Sequence, residues 1–379
     1  YKNLEAISAF SASNIGNYYI STKFAKSKES EIYKAWAWGN YKYQSKSKKN
    51  LLYIKDQKEL EFLTFYSDCI NFSRDLINSP ANKLNPSTYY SKIKNNNLFK
   101  GFNFIDYTEK EINSNFPLTC AVGKSSSSKP KVIEITNRKL SKKDKPLVII
   151  GKGVTFDTGG VNIKPGTSMR NMKKDMGGSA IAISLFLLAN YFLKKTKIVL
   201  IAPIAENAIS SKSMRPGDVY SSVSGKSVEI AHTDAEGRLL LADAIEKASS
   251  YNPCMIIDFA TLTGAARVAL GEDLPAYFCN NETFAKKIEN LNKEKLRCWR
   301  LPLYSPYLFK IKSQVADLSN ASLDGMAGSI TAALFLQEFL KSPNIPWFHF
   351  DTFAWSQDSK GAALQGLDIM SDFLRKNFN

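Results

Sequence analysis

The chain has 379 residues, 44% of them hydrophobic, which is enough for one large domain or two ordinary ones with a substantial core and argues against disorder. Its five cysteines are widely scattered and form no CxxC pair, so a zinc ribbon or a disulfide scaffold is not expected and a reducing compartment is favoured. The formal charge of +16 comes mostly from lysines spread along the chain, which indicates a solvated basic surface and argues against nucleic-acid binding as the primary function.

The sequence carries no membrane or export signal that we recognise. No segment reaches the ~18 to 20 unbroken apolar residues of a membrane span. The beginning of the chain lacks the basic, apolar and small-residue order of a signal peptide. We therefore expect a cytoplasmic protein that does not enter a membrane.

Residues 1–57 are interpreted as a reduced N-terminal α/β region, and residues 58–379 as a second domain that begins with a linking helix over 58–77. In that helix apolar residues recur at helical spacing. Pro80 predicts its end near Asn78, because helical geometry is disfavoured just before a proline. Two lysine-rich runs, at residues 45–49 and 141–145, are predicted to be loops. 

The second domain then alternates between predicted strands and helices. Strands are predicted at residues 103–107, 131–135, 147–150, 198–203, 228–231, 255–259 and 347–350. Helices are predicted at residues 177–193, 238–249 and 331–341. Such alternation indicates a mainly parallel mixed sheet flanked by helices, an α/β fold with three αβα layers.

The glycine-rich segment 151–175 follows a predicted strand and is expected to be an irregular loop. It contains Lys152, Asp157, Lys164 and Asp175, a mixture of cations and carboxylates at a strand end, where the binding sites of α/β sheets collect. A tight turn or a phosphate cradle is the commoner meaning of such a loop, yet the segment lacks both GxxxxGK[ST] and GxGxxG.

A second loop, residues 232–238, also lies between a predicted strand and a helix. Asp234 and Glu236 are alternate residues, so in an extended segment both side chains point the same way, and Arg238 lies at the start of the helix. Purely structural roles are the alternatives: each acid could be a turn residue, and Thr233 and Glu236 could form a capping box.

If the two loops lie side by side, four carboxylates converge: Asp157, Asp175, Asp234 and Glu236. Like charges in a dry cleft are heavily penalised, so divalent metal ions are expected there. This many oxygens favour two ions ~3.5 to 4 Å apart with a hydroxide between them. A lysine in such a site could bind a metal as the neutral amine or, when charged, could polarise a carbonyl group.

Together the two loops resemble the leucyl aminopeptidase family, the cytosolic two-metal aminopeptidases. The family signature N-T-D-A-E-G-R-L is matched at residues 232–239 as H-T-D-A-E-G-R-L. The family's metal loop G-K-G-x-x-x-D-x-G-G-x-x-x-K is matched at residues 151–164, and its D-M-G-G at residues 175–178. The resemblance covers the chain from roughly residue 60 to the end. Further similar pieces are Arg74-Asp75-Leu76, Asp258 to Ala265, Trp299 to Pro302, and His349 with Asp351.

The resemblance implies a metal-dependent aminopeptidase that releases N-terminal residues from short peptides. It implies that Asp157 and Glu236 bridge two divalent metal ions, that Lys152 and Asp175 complete the tighter site, and that Asp234 completes the more exchangeable one. The ions implied are zinc or manganese, with magnesium and cobalt as alternatives. The family also forms hexamers whose active sites open into an internal cavity, so a homo-hexamer is expected.

The same resemblance assigns catalytic roles to Lys164 and Arg238, with Arg238 holding a bicarbonate that shuttles protons. For one of the substrate-binding residues that the resemblance implies, Met172, packing in the core is a comparable explanation of the side chain. The full set of substrate-binding residues that the resemblance implies is Met172, Thr261, Leu262 and Gly264.

The sequence departs from the family pattern in three places. His232 replaces the usual asparagine and is expected to lie behind the metal ligands or to pack the loop. Phe353 or Trp355, in place of smaller residues, is expected to narrow the pocket and shift the side-chain preference. The N-terminal region is much shorter than the family's usual first domain.

Two other functions stay open at this point. A two-metal hydrolase of phosphate esters would use the same carboxylates and bind phosphate with the lysines. A basic DNA-binding or scaffold protein could use an inactive peptidase fold, although a fold kept only for binding has no need of the intact set of acidic residues.

Overall fold

Nine strands form the main sheet in the part of the chain that the computed structural model describes, which comprises residues 2–13, 16–20, 25–44, 50–293, 295–357 and 361–378. The strands of all three described sheets, fourteen in number, are β1 (Asn17–Tyr19), β2 (Leu51–Tyr53), β3 (Asn103–Ile105), β4 (Lys131–Thr136), β5 (Leu147–Gly151), β6 (Gly153–Asp157), β7 (Ile198–Asn207), β8 (Val219–Ser221), β9 (Ser227–Glu229), β10 (Met255–Ala260), β11 (Ala276–Cys279), β12 (Trp299–Arg300), β13 (Leu318–Ser319) and β14 (Trp347–Asp351).

Helices connect most of these strands. The α-helices are α1 (Lys2–Ser13), α2 (Lys26–Gly39), α3 (Gln57–Asn78), α4 (Pro86–Lys94), α5 (Glu109–Asn115), α6 (Pro117–Gly123), α7 (Gly166–Met169), α8 (Gly177–Phe192), α9 (Gly237–Ser250), α10 (Gly264–Leu270), α11 (Glu282–Asn292), α12 (Gly328–Gln337) and α13 (Leu367–Asn377). Short 3₁₀ turns occur at Asn97–Phe99, Met172–Met176 and Ser305–Ile311.

The main sheet has the order β12-β11-β14-β10-β5-β7-β4-β3, and β6 also pairs with β7. The central strands β14, β10, β5 and β7 are parallel to one another, whereas β11, β4 and β3 enter the sheet antiparallel to their inner neighbours. The predicted α/β class with a mainly parallel mixed sheet is therefore confirmed.

Alternate residues of β5 show how helices cover both faces of the sheet. Leu147 and Ile149 pack into one buried cluster with side chains of α3, α8 and α13, and Val148 and Ile150 pack into a second cluster with α9 and α12. All four side chains are fully buried. A continuous apolar run is what a strand covered on both faces requires, which is why this strand could be predicted from its composition.

The strand β7 is long enough to pair with two consecutive strands, and this overturns the prediction of an irregular loop from Gly151 onward. The first half of β7 pairs with β5, and its second half pairs with β6 (Gly153–Asp157), with an irregular register before Asp157. Lys152 therefore lies at a break between two strands, and Asp157 at the end of the second. Gly151 is required at the break, because a Cβ there would lie 2.3 Å from the Ser179 Cα of α8.

The strand predicted at residues 228–231 was placed in the wrong sheet. The observed strand, β9 (Ser227–Glu229), belongs to a separate three-stranded sheet in the order β13-β9-β8. Val228 is the one buried residue of β9, and so short an apolar segment does not indicate which sheet a strand joins.

The N-terminal region packs on α3, the linking helix, which runs within one residue of its predicted bounds at both ends. The buried guanidinium of Arg74 on α3 stacks against the rings of Trp38 and Tyr41, and its Nη1 donates to the Trp38 carbonyl oxygen at 2.9 Å. Of the two predicted loops, residues 141–145 contain no helix or strand, and residues 45–49 lie outside the described residues.

One helical stretch, Met172–Phe192, is long and apolar enough to cross a membrane by length and composition alone. It comprises the 3₁₀ turn and α8, and 83% of its most apolar window is buried inside the fold. Its apolar side chains are thus accounted for by packing against the sheet and α3.

Candidate metal centre

Four acidic side chains meet where the central strands end. Asp157 ends β6, and Asp175 lies in the 3₁₀ turn that leads into α8. Asp234 and Glu236 come from the turn before α9. Oxygens of Asp157, Asp234 and Glu236 lie within 4.8 Å of one another, so the predicted convergence of the two loops is observed.

The prediction that Asp234 and Glu236 lie in an extended segment was wrong. Thr233 and Asp234 form a turn, and Glu236 has helical backbone angles, so the segment is not extended. Thr233 does not form the capping box considered above: its hydroxyl donates to the Gly159 carbonyl oxygen, and it accepts from the Asn162 N–H at 2.8 Å. Thr233 therefore joins the two loops.

Two lysines neutralise part of the acidic cluster. The Nζ of Lys152 lies 2.7 Å from Asp175 Oδ2 and 3.0 Å from Glu236 Oε1, and it donates to the Thr261 carbonyl oxygen at 2.8 Å. The Nζ of Lys164 lies 2.9 Å from Asp157 Oδ2 and also contacts Asp234. Burial lowers the pKa of both lysines, but the surrounding carboxylates raise it more, so the net pKa is raised for each.

The positive charges of the lysines do not lower the pKa of every carboxylate to the same extent. Burial and then the Asp157 charge raise the pKa of Asp234 to about 7 and the pKa of Glu236 well above its usual range. For Asp175 burial raises the pKa, but the Lys152 and Lys174 ammonium groups lower it further, so its net pKa is depressed. The acids around Glu236 thus remain short of positive charge.

The donor set fits divalent cations. Glu236 is 1% exposed, and among the described residues the Lys152 ammonium group, 3.0 Å from Oε1, is the one cation in contact with its carboxylate, while Oε2 has no hydrogen-bond partner. A buried carboxylate without donors is costly unless a cation completes its surroundings. Three mutually close carboxylates, with Asp175 behind Lys152, supply the oxygen ligands that such a cation requires.

Several residues that hold the acids in place were not predicted from the sequence. Asn207, at the end of β7, donates from Nδ2 to Asp157 Oδ1 at 2.8 Å and to the Thr233 carbonyl oxygen at 3.1 Å. The Gly159 N–H donates to the same Asp157 oxygen at 2.8 Å. These bonds leave Asp157 Oδ2 facing Lys164. Since Asn207 also ends a central strand, the rule that located Asp157 could have found it.

Asn320 organises the second loop from far along the chain. Its Oδ1 accepts from the N–H groups of Ala231 and His232 at 2.9 and 3.1 Å, and its Nδ2 donates to the His232 and Ala235 carbonyl oxygens at 2.9 and 3.3 Å. The side chain is fully buried. No motif marks this asparagine, because its function depends on contacts some 88 positions away.

Replacing Asn320 by alanine is expected to lower the free energy of unfolding by about 2–4 kcal/mol, because four partly buried backbone groups lose the partner that the buried amide supplies. Urea unfolding measures this loss. Binding of Mn²⁺ should weaken in parallel, since the loop carries Asp234. The control is Asn344→Ala, at an exposed asparagine, which should change neither quantity. Unchanged stability in Asn320→Ala would contradict the role assigned to the side chain.

A cleft with a volume of about 280 Å³ opens beside the cluster. All four predicted substrate-binding residues line it, so the structure places them together. Phe353 lines it as well, whereas Trp355 is not among the described residues that do, and it lies instead against the Lys173 ammonium group. Of the two bulky residues expected to narrow the pocket, Phe353 is the one in position. The four predicted residues are Met172, Thr261, Leu262 and Gly264.

The carboxylate of Asp351 holds one wall of this cleft. It accepts from the Leu262 and Thr263 N–H groups at 3.2 and 3.1 Å, from the Thr263 hydroxyl, and from the Ser329 hydroxyl at 2.9 Å. These contacts fix residues 261–264 against β14 and α12.

Arg238 is buried beside the acids, whereas His232 is exposed on the same loop. The guanidinium of Arg238 is 8% exposed and donates to the Asn320 carbonyl oxygen. Burial lowers its pKa to about 10, so it stays charged at neutral pH. His232 Nδ1 accepts from the Asp234 N–H at 3.2 Å, a contact that packs the loop. Gly237 permits this arrangement, because a Cβ there would lie 2.5 Å from Lys152 Cε.

Comparison with known proteins gives one family. A model described as "Cytosol aminopeptidase family, catalytic domain" matches residues 71–370. The chain is 37% identical over 297 residues to a probable cytosol aminopeptidase of Syntrophotalea carbinolica, which covers 78% of this chain and 59% of that protein. It is 41% identical over 288 residues to the cytosol aminopeptidase of Encephalitozoon cuniculi, covering 74% and 58%. The chain therefore matches less than two thirds of the length of these curated relatives.

Solved structures are similar over almost the whole chain. A crystal structure of the cytosol aminopeptidase from Coxiella burnetii has a TM-score of 0.90 and 36% sequence identity, and the match covers 99% of this chain and 84% of that one. The bottromycin maturation enzyme BotP, in complex with Mn, has a TM-score of 0.87 and 26% identity, with 99% and 88% covered.

Proposed function

The chain belongs to the cytosol aminopeptidase family, and on this premise we propose that it hydrolyses the N-terminal residue from short peptides. One observation carries the proposal: the buried cluster of four carboxylates and two lysines lies beside a cleft lined by all four residues at substrate-binding positions.

Two divalent metal ions are proposed to bind the acidic cluster, with zinc or manganese as the first candidates and magnesium or cobalt as alternatives. When bound, such a pair polarises the peptide carbonyl group and activates a water molecule for attack. Lys152 is protonated in the contacts described above, so its ammonium group would have to lose a proton before the amine could bind a metal ion. The manganese complex of BotP supports the choice of metal. The ligands would be Lys152, Asp157, Asp175, Asp234 and Glu236.

The chain's own residues would supply the rest of the chemistry. Lys164 would move from Asp157 and Asp234 to the carbonyl oxygen of the substrate, where its charge stabilises the developing oxyanion. Arg238 would hold a bicarbonate that carries a proton from the attacking water to the leaving amine. Leu262 and Gly264 would bind the substrate backbone in the loop that Asp351 fixes.

We further propose that the protein acts in the cytoplasm as a homo-hexamer. The division into an N-terminal region, residues 1–57, and a catalytic domain, residues 58–379, is proposed as well. In support, the family match begins inside α3, the helix on which the N-terminal region packs.

A direct assay separates this function from hydrolysis of phosphate esters. The protein, supplied with Mn²⁺ or Zn²⁺, should release p-nitroaniline from leucyl-p-nitroanilide and leave p-nitrophenyl phosphate intact, because the Lys152 and Lys164 ammonium groups are paired with carboxylates of the cluster and are not free to bind a phosphate. Chelation by EDTA should abolish the peptidase activity. Hydrolysis of the phosphate ester alone would contradict the proposal.

A further inference from the structure

Two positive side chains lie on the wall of the cleft formed by Phe353. The Nζ of Lys174 is 4.4 Å from the centre of the Phe353 ring, and the Cζ of Arg267 is 4.8 Å from the same centre. All three residues line the cleft. An aromatic face stabilises a cation only weakly, so the Phe353 ring leaves the positive charges of Lys174 and Arg267 without a counter-charge.

Lys174 is the unusual member of the pair. It is only 4% exposed, and its ammonium group makes no hydrogen bond or ion pair within the described part of the chain. Lysine is almost never fully buried unless it is paired. A buried, unpaired ammonium group beside an open cavity therefore points to an anionic group that enters the cavity.

The neighbouring carboxylates are engaged elsewhere. Asp175 attracts the Lys174 ammonium group through space, but its direct ion pair is with Lys152, and Asp351 accepts hydrogen bonds from the loop and from α12. Glu272 also lines the cleft, but its Oε1 accepts from Gln357 Nε2 at 3.1 Å, and it forms no ion pair with Lys174 or Arg267 among the described residues.

The other lining residues suit the stem of an amino-acid side chain. Met172, Leu274 and Pro275 supply apolar surface on the cleft, and the predicted metal ligands Asp157, Asp175 and Asp234 lie along it as well. A substrate whose scissile bond lies at the acidic cluster would direct its first side chain into this space. A short apolar stem with a negative end complements such a lining.

We propose that the pocket for the first residue of the substrate selects an acidic side chain, aspartate or glutamate, through Lys174 with Arg267 at its outer side. This inference rests on the proposed peptidase function and specifies its substrate class. Arg267 is exposed, so it would attract the acidic side chain, and Lys174 would bind it inside.

The test compares substrates that differ in charge but hardly in shape. Glutamyl- and glutaminyl-p-nitroanilide are assayed side by side, with leucyl-p-nitroanilide as the neutral reference. We expect kcat/KM to be about ten- to a hundredfold higher for the glutamyl than for the glutaminyl substrate, because the buried ammonium group gains a charged partner. Lys174→Gln should bring this ratio close to one, and Lys174→Glu should favour lysyl-p-nitroanilide instead.

The adjacent lysine provides a matched control. Lys173 donates from Nζ to the Asn78 carbonyl oxygen at 2.8 Å, and it is not among the described residues that line the cleft. Lys173→Gln removes the same charge one position away and should leave the glutamyl-to-glutaminyl ratio unchanged. An equal fall of the ratio in both variants would overturn the inference.

Failure of the inference can be distinguished from failure of the proposed function. Turnover of the leucyl substrate with no preference for glutamyl over glutaminyl would overturn the acidic pocket and leave the peptidase intact. If no anilide is hydrolysed, the peptidase function is wrong, and calorimetric titration with free glutamate and free glutamine decides about the pocket. Tighter binding of glutamate, lost in Lys174→Gln, would support the pocket, whereas equal binding would overturn it.

Discussion

Glu236→Gln is expected to reduce peptide hydrolysis by roughly a thousandfold or more, because the cluster loses the charge of a carboxylate proposed to bridge both metal ions. Glutamine keeps the shape of the side chain and an oxygen that faces Lys152. The fold should therefore persist, and the proposed hexamer with it. Steady-state assays with added Mn²⁺ measure the loss, and calorimetric titration with Mn²⁺ should show weaker binding.

The same substitution should stabilise the protein in the presence of EDTA. The Glu236 carboxylate is buried within 4.8 Å of two other carboxylates, so removing its charge relieves repulsion that the contact with Lys152 offsets only in part. We expect the Tm in EDTA to rise by about 1 °C, which corresponds to about 1 kcal/mol for a chain of this length. Glu246→Gln, at a less buried glutamate on α9, the helix that follows Glu236, serves as the control for loss of one charge. Undiminished activity in Glu236→Gln, or equally in Asp234→Ala, would refute the metal assignment.

Lys164→Met is expected to lower kcat by about 10²- to 10³-fold, the usual effect of removing one group that stabilises an oxyanion. The affinity for Mn²⁺ should increase, because the Lys164 ammonium group competes with a metal ion for Asp157 and Asp234. These opposite changes distinguish an oxyanion-stabilising residue from a metal ligand.

The matched control for this experiment is Lys124→Met, at a lysine whose ammonium group is hydrogen-bonded to Tyr220 and does not line the cleft. That variant should retain both kcat and metal affinity. If Lys164→Met binds Mn²⁺ much more weakly than the parent protein, Lys164 contributes to the metal site itself and the proposed role is wrong.

The sequence was informative wherever one local property decided the structure. Buried strands such as β5 and β10 are continuous apolar runs, and α8 is an apolar segment of helical length. The acids were found because two loops at predicted strand ends, where the binding sites of α/β sheets collect, both carry acidic and basic residues. β6 was missed because its five residues include Gly153 and Asp157, both of which disfavour a strand, and its pairing partner is the unusually long β7.

Residues that act through distant contacts could not be predicted in the same way. Asn320 supports a loop nearly ninety positions earlier in the chain. Lys174 looked like one more surface lysine in a basic chain, and only its burial against Phe353 distinguishes it. In both cases the residue type is ordinary, and tertiary packing creates the chemical role.

The position of β14 in the sheet has a consequence for biosynthesis. β14 lies between β10 and β11, yet it is the last of the main-sheet strands to leave the ribosome. A nascent chain that ends before Trp347 can pair β10 with β5, but β11 and β12 have no strand to join, and the loop at 261–264 lacks the Asp351 carboxylate. The proposed peptide hydrolysis should therefore begin only after the β14 segment has been synthesised.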